Sequence, residues 1–266
     1  ALTDATLQAS LDQVRRVMPQ IRAAAAAECD DFAQLCDRAG DIRRASVGSL
    51  DRLLETFERT VVASGGHVHW ARDGEEATRI VTGICAAAGA RRIIKSKSMV
   101  TEEIELNAAL EAAGYEVTET DLGEYIIQLR GEKPSHILAP SLHVTLEQVG
   151  ETFHARHGIE RDAPPTDADE MLLEARRVLR DRFLNADVGI TGANLLVAAT
   201  GGAVIVTNEG NADLSMLLPD THIVVTGIEK VVASPTDAGA ILKVLAHSAI
   251  GERMANYTTF VHGPRR

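Results

Sequence analysis

The sequence predicts a mixed α/β fold: a mostly parallel sheet with helices on both faces, preceded by an N-terminal helical extension. Three observations point there. Apolar residues recur every three or four positions through residues 3–64, which is the helical period. From "GGHVHWA" onward, short apolar runs alternate with amphipathic stretches, a rhythm that needs crossover connections and therefore parallel strands. Between 187 and 211, three apolar runs are separated by nothing longer than "GAN" and "TGG", so hairpins enter the sheet and make it mixed. The expected organisation is a helical extension over 1–64 and an α/β domain over 65–266.

In chain order, Leu7, Leu11, Val14, Val17 and Met18 mark a first helix, and Leu50, Leu53, Leu54, Phe57 and Val61 a later one, with Asp41 and Ser46 available as caps between them. Strands are expected over 67–71, 92–96, 115–119, 135–140, 187–191, 195–199, 203–207 and 222–227. Helices are expected over 73–88, 101–113, 145–157, 167–185 and 236–249. "RDAPPTDADE", 161–170, reads as a loop whose paired prolines precede Thr166 or Asp167 as a helix N-cap.

Composition narrows the function. A chain of 266 residues with 45% apolar residues buries a large core. Its formal net charge of −11 excludes a general nucleic-acid or anionic-membrane binder, since both need a basic surface. No apolar run reaches the twenty or so residues of a membrane span, so small molecules or proteins are the expected partners. Three cysteines, Cys29, Cys36 and Cys85, cannot all pair and form no C-x2-C motif; a reducing cytoplasm is the expected setting.

Chemistry concentrates in two stretches. In "RRIIKSKSMVTEE", 91–103, period-two alternation sets Lys95 and Lys97 on one side of a strand end and Ser96 and Ser98 on the other. A helix start follows, so amide donors, a hydroxyl and an ammonium converge in a form suited to a carboxylate or phosphate. The plainer alternative has Ser98 or Thr101 capping the helix, with Glu102 and Glu103 complementing the dipole and pairing with the lysines. In "DVGITGANLLVAATGGAVIVTNEGN", 187–211, Gly189, Gly192, Gly201, Gly202 and Gly210 interrupt strand-forming runs. Such glycines mark bends or the close approach of a ligand. Thr191, Asn194, Thr207, Asn208 and Asn211 are expected at the same rim, with Glu209 as a candidate base or nucleophile. The alternative is that all are turn residues. There is no G-x-G-x-x-G fingerprint and no P-loop.

His67 and His69, and Glu151, His154 and His157, share faces but lack further ligands, so no metal site is expected. His143, placed after the expected strand 135–140, is a candidate to bring an imidazole to a bound acid.

The segments "KSKSMVTEEIELN", "ETDLGEYIIQLRGEKPSHILAPSLH", "EARRVLRDRFLNADVGITGAN", "VIVTNEGN", "HIVVTGIEKVV" and the terminal "GPRR" together resemble the LUD domain family of lactate-utilisation protein B, over about residues 60–266. The resemblance implies a fold like that of glucosamine-phosphate isomerase, ribose-phosphate isomerase and the coenzyme A transferases. It also implies a role in oxidising L-lactate to pyruvate within an iron–sulfur system of several subunits. Full-length members continue past "GPRR" into a ferredoxin-like segment whose cysteine runs hold [4Fe–4S] clusters. The sequence is therefore expected to be the LUD domain of a longer protein, with no cofactor of its own, inactive alone as a dehydrogenase.

On this reading a small carboxylate such as lactate or pyruvate lies against Lys95, Ser96, Lys97 and Ser98. The glycine-rich rim of Gly192, Gly201, Gly202 and Gly210 faces it, with Thr191, Asn194, Asn208 and Asn211 as polar contacts, and other lactate-utilisation subunits are the partners. The rival expectation is a coenzyme A transferase-like or sugar-phosphate isomerase-like enzyme acting through Glu209. A third is a docking domain whose negative surface meets a basic protein.

Overall fold

A computed structural model describes residues 5–136, 139–159, 162–252, 255 and 257–264. Among these, eleven helices and eight strands alternate in the mixed α/β manner expected. The strands form two four-stranded sheets, and the chain separates into two compact units with one sheet in each. The first unit comprises Ala1–Val14, Val81–Thr191 and Asn211–Ile223; the second comprises Arg15–Ile80, Gly192–Gly210 and Val224–Arg266.

The sheet of the first unit has the order β2-β1-β3-β6, from β1 (Arg92–Lys95), β2 (Glu116–Glu119), β3 (Val188–Thr191) and β6 (Thr221–Val224). β1 runs parallel to β2 on one side and to β3 on the other. The chain leaves β1 through α5 (Met99–Glu103) and α6 (Leu106–Ala112) to reach β2. It returns through α7 (Leu122–Arg130), α8 (Leu146–His157) and α9 (Ala168–Leu184) to reach β3 on the opposite side of β1. That reversal makes the carboxyl ends of β1 and β3 a topological switch point, where open α/β sheets bind ligands. Ile94 packs there with Tyr125 and Ile126 of α7, Phe153 of α8 and Met171, Ala175, Leu179 and Phe183 of α9. Asp121, Thr145 and Asp167 each accept a backbone N–H at the start of these helices, which fixes where they begin. α10 (Asn211–Leu217) lies against β3, so close that a Cβ on Gly189 would stand 1.8 Å from the Ser215 carbonyl oxygen.

The sheet of the second unit has the order β7-β4-β5-β8, from β4 (Leu195–Val197), β5 (Gly202–Thr207), β7 (Val231–Val232) and β8 (Tyr257–Val261). β4 and β5 form the expected antiparallel hairpin, β4 runs parallel to β7 and β5 antiparallel to β8. Strand alternation divides its core. Leu196 and Val231 pack with Phe57, Leu50, Leu53 and Leu54 of α3 (Leu50–Ala63), while Leu195, Val197 and Val232 pack with Ile42 of α2 (Phe32–Val47) and Ala238, Ile241 and Leu242 of α11 (Pro235–Ile250). α1 (Ala5–Ala27) and α4 (Gly74–Ala87) complete the helices.

Several elements differ from expectation. Residues 67–71 form no strand, although "HVHWA" alternates correctly, because no strand among the described residues pairs with them. The expected strand 135–140 includes residues 137 and 138, which lie outside the described residues; its described flanks form a bend and turn in which the Ser135 N–H donates to the Pro140 carbonyl at 3.0 Å. The helix over 101–113 is two, broken where Glu105 adopts φ 52°. α7, α10, β7 and β8 were not anticipated.

Candidate functional site

Lys95 ends β1 in direct register with Glu119, the last residue of β2. In parallel strands such partners point the same way, and here they form an ion pair of 2.8 Å with both side chains almost wholly buried. Lys95 also donates to the Thr101 hydroxyl at 3.2 Å, and that hydroxyl donates to the Ser98 carbonyl at 2.8 Å. Asn107 of α6 donates to the same Glu119 oxygen at 2.6 Å. Ser98 accepts the Thr101 N–H and caps α5. The plainer alternative thus holds for Ser98, while Lys95 pairs with Glu119 rather than with Glu102 or Glu103. Lys97, two residues further on, is half-buried, and Ser96 is buried with its N–H donating to the Ile190 carbonyl at 2.9 Å.

Around this pair the polar network continues inward. Thr120 donates its hydroxyl to the Lys95 carbonyl at 3.0 Å and receives the Asn211 amide at 3.3 Å. Ser215, on the next turn of α10, stands 3.4 Å from the same Thr120 hydroxyl. At the end of β3, Thr191 is fully buried and shares a 2.8 Å hydrogen bond with Nε2 of His222 on β6. Burial holds that imidazole neutral, with its pKa lowered to about 4. Glu124, in the first turn of α7, is buried close to Glu102, Glu119, Lys95 and Lys97; burial first, then the two neighbouring carboxylates, raises its pKa to about 8.

The first unit therefore holds Lys95, Ser96, Lys97, Ser98, Thr191 and Asn211. His143 is in the same unit but on no strand end: its two ring nitrogens are bonded to Ser135 Oγ and Glu132 Oε2, each at 2.8 Å, in the turn before α8. Gly192, Asn194, Gly201, Gly202, Asn208, Glu209 and Gly210 fall in the second unit, so the single rim expected over 187–211 is divided between two sheets.

Several of these residues serve packing. A Cβ on Gly201 would stand 2.6 Å from the Val61 backbone nitrogen, and one on Gly202 2.5 Å from the His262 ring, so protein rather than ligand makes the close approach. Asn194 accepts the Val206 N–H at 2.8 Å, tying the hairpin. Gly210 takes φ 69° in the bend after β5, while Asn208 and Glu209 are exposed there and the Glu209 N–H reaches the Thr207 hydroxyl at 3.4 Å.

Sequence reasoning missed Glu119, Glu124, Asn107 and His222. A signal existed for Glu119: "IIK" and "VTE" each end a strand-forming run on a charge, and the charges are opposite. Elsewhere in the first unit, a cleft of about 310 Å³ is lined by Ile159, Pro165, Glu170, Leu173, Glu174 and Arg177, none of them singled out beforehand. Glu174 lies 3.2 Å from Nδ1 of buried His157, whose Nε2 meets the Tyr125 hydroxyl at 2.9 Å.

Among the described residues no group of three or more His, Cys, Asp or Glu is placed to hold a metal ion. A [4Fe–4S] cluster does not fit the thiols present. It takes four thiolates, the sequence has three cysteines, and burial raises the Cys85 thiol to about 11.

These features define a class: a mixed α/β protein with a buried lysine–glutamate centre at the switch point of a parallel sheet. The chain belongs to the LUD domain family, whose pattern matches residues 54–266. It is 40% identical to "Lactate utilization protein B" of Bacillus pumilus over 99% of this chain and 55% of that protein. It is 43% identical to "Uncharacterized electron transport protein YkgF" of Escherichia coli over 86% of this chain and 48% of that one. The chain thus spans about half the length of the curated relatives it matches. A crystal structure of a DUF162 family protein from Deinococcus radiodurans aligns over 82% of this chain and 94% of that one, at 17% identity and TM-score 0.44. No helix among the described residues is long and apolar enough to cross a membrane.

Proposed function

We propose that this chain is the LUD domain of a component of the lactate-utilisation system, and that it binds a small 2-hydroxy or 2-oxo carboxylate at the strand ends of its first unit. The observation that carries the assignment is the 40–44% identity to proteins named lactate utilization protein B. Support for a carboxylate site comes from the switch point, where ligands of parallel sheets gather, and from the cations there. Lys95, held by Glu119 and Thr101, supports the strand end. Half-buried Lys97 supplies the charge for a bound carboxylate, and charge-assisted hydrogen bonds of this kind are roughly twice as strong as neutral ones. Oxidation of lactate to pyruvate releases two electrons, and these residues offer no group to take them. Their acceptor is assigned to iron–sulfur centres and partner subunits outside this chain.

Titration calorimetry and thermal shift with lactate, pyruvate, glycolate, sugar phosphates and coenzyme A esters test the reading. Lactate or pyruvate should raise the melting temperature, and K97A should weaken that binding about tenfold or more, the loss of one charged contact. A response confined to sugar phosphates or coenzyme A esters would overturn it in favour of an enzyme acting through Glu209. That carboxylate is exposed in the bend after β5.

A further inference from the structure

Near the carboxyl ends of β1 and β2, Glu124 on α7 feels two carboxylates, Glu102 on α5 and Glu119 on β2, and two ammonium groups, Lys95 and Lys97, of which Lys95 is paired with Glu119. Glu119 is 3% exposed and Glu124 5%. Lys95 and Asn107 both address Oε1 of Glu119; its Oε2 is buried with no hydrogen-bond donor. Glu102 Oε1 and Asn107 Oδ1 are buried in the same condition. The Asn107 amide cannot simply be turned, because that would set its oxygen against Glu119. Two shortages therefore coincide. One negative charge exceeds the cations in a weakly solvated place, and acceptors there outnumber donors. A single proton removes the excess charge and supplies one of the missing donors, since a buried charge without a partner neutralises.

The carrier of that proton follows from what holds each carboxylate. Glu119 is paired with Lys95 at 2.8 Å and accepts from Asn107 at 2.6 Å. Glu102 is only half-buried. Glu124 is buried and faces two carboxylates, while Lys95, one of the cations that act on it, is already engaged by Glu119. From α8, which packs on α7, His157 meets Tyr125, and Glu174 of α9 acts on the same tyrosine.

We propose that Glu124 stands as a neutral carboxylic acid at neutral pH and is the proton-carrying positioning group of the carboxylate-binding strand ends. The second half of this rests on the reading given under Proposed function; the first does not. An un-ionised acid at this place spares a bound 2-oxo acid the repulsion of a third ionised carboxylate. The direction of its titration agrees: burial, reinforced by Glu102 and Glu119, favours the protonated form.

The test is a pH titration of the whole ligand-free chain by NMR, with glutamate side-chain carboxyls labelled with carbon-13. One buried glutamate should ionise near pH 8, and its signal should be missing in E124Q, which keeps the shape and neutrality of the acid. If every glutamate ionises below about pH 6, the proposal is overturned, and this wild-type outcome does not depend on E124Q folding. A second arm adds pyruvate. If Glu124 titrates high but pyruvate does not bind, the protonated acid stands and the carboxylate reading falls. If pyruvate binds while Glu124 is ionised throughout, the carboxylate reading stands and this proposal falls.

Discussion

At the scale of single residues, Lys95 shows how a buried charge is held. Its ammonium is satisfied by Glu119 and Thr101, and the pair is almost inaccessible to water. Removing one partner leaves the other charged, buried and alone, which typically costs about 3–5 kcal/mol, whereas replacing both with apolar side chains of similar size is often neutral. Urea denaturation should therefore show K95A destabilised by about that amount, and K95M combined with E119L far less so. Equal losses in K95A and the double variant would show that packing, not charge, is what Lys95 contributes. Part of this was legible in the sequence. A lysine ending an apolar run is unusual enough to attract notice, and alternation put Lys97 on the same side. What the sequence could not show is that β2 lies beside β1 in a register that sets Glu119 opposite Lys95, because strand adjacency is decided by long crossovers, here residues 96–115.

At the scale of elements, glycine carries two opposite meanings that the sequence does not distinguish. In β3, a Cβ on Gly189 would meet the Ser215 carbonyl of α10, so G189A should push strand and helix apart and cost about 1–3 kcal/mol or more. Within α11, a Cβ on Gly239 meets nothing within 4 Å, and G239A should gain about 0.5–1 kcal/mol from helix propensity. Thermal melts of the two variants should thus move in opposite directions, and a loss in G239A would contradict the open space beside it. The same ambiguity explains which elements were legible. Long amphipathic helices such as α3 and α9, and β-branched runs such as those of β1 and β5, announced themselves. α7 was missed although Asp121 and Gly131 are its caps, because "YIIQL" is equally apolar in either period. β7 has two residues and exists through its pairing with β4, a contact no local pattern reveals. The glycine-rich run 187–211 looked like one rim because it is continuous in sequence, yet the chain passes from one sheet to the other between Thr191 and Leu195.

At the scale of the whole molecule, two buried groups shape stability against pH from opposite sides. Glu124 is raised from 4.5 to about 8, so between those values the folded chain binds a proton that the unfolded chain has released. Stability then falls as pH rises through that window and levels above it. His222 is lowered from 6.5 to about 4, so between those values the unfolded chain binds a proton that the folded chain rejects. Stability therefore falls as pH drops through that window; His157, also lowered by burial, acts in the same sense, and the depressed carboxyls of Asp187 and Glu174 add acid loss at lower pH. The Glu124 and His222 slopes nearly cancel between about pH 4.5 and 6.5, where one proton is gained and one lost on unfolding. Chemical denaturation across pH should give a plateau there, a decline up to about pH 8 and a separate decline toward acid. E124Q should abolish the alkaline decline and unmask the His222 slope, so that stability rises with pH across the former plateau. H222Q should remove much of the acid slope, so that stability falls with rising pH across the former plateau. Should the alkaline decline survive in E124Q, another group must release that proton, and the acid at the end of the first sheet would have to be assigned elsewhere.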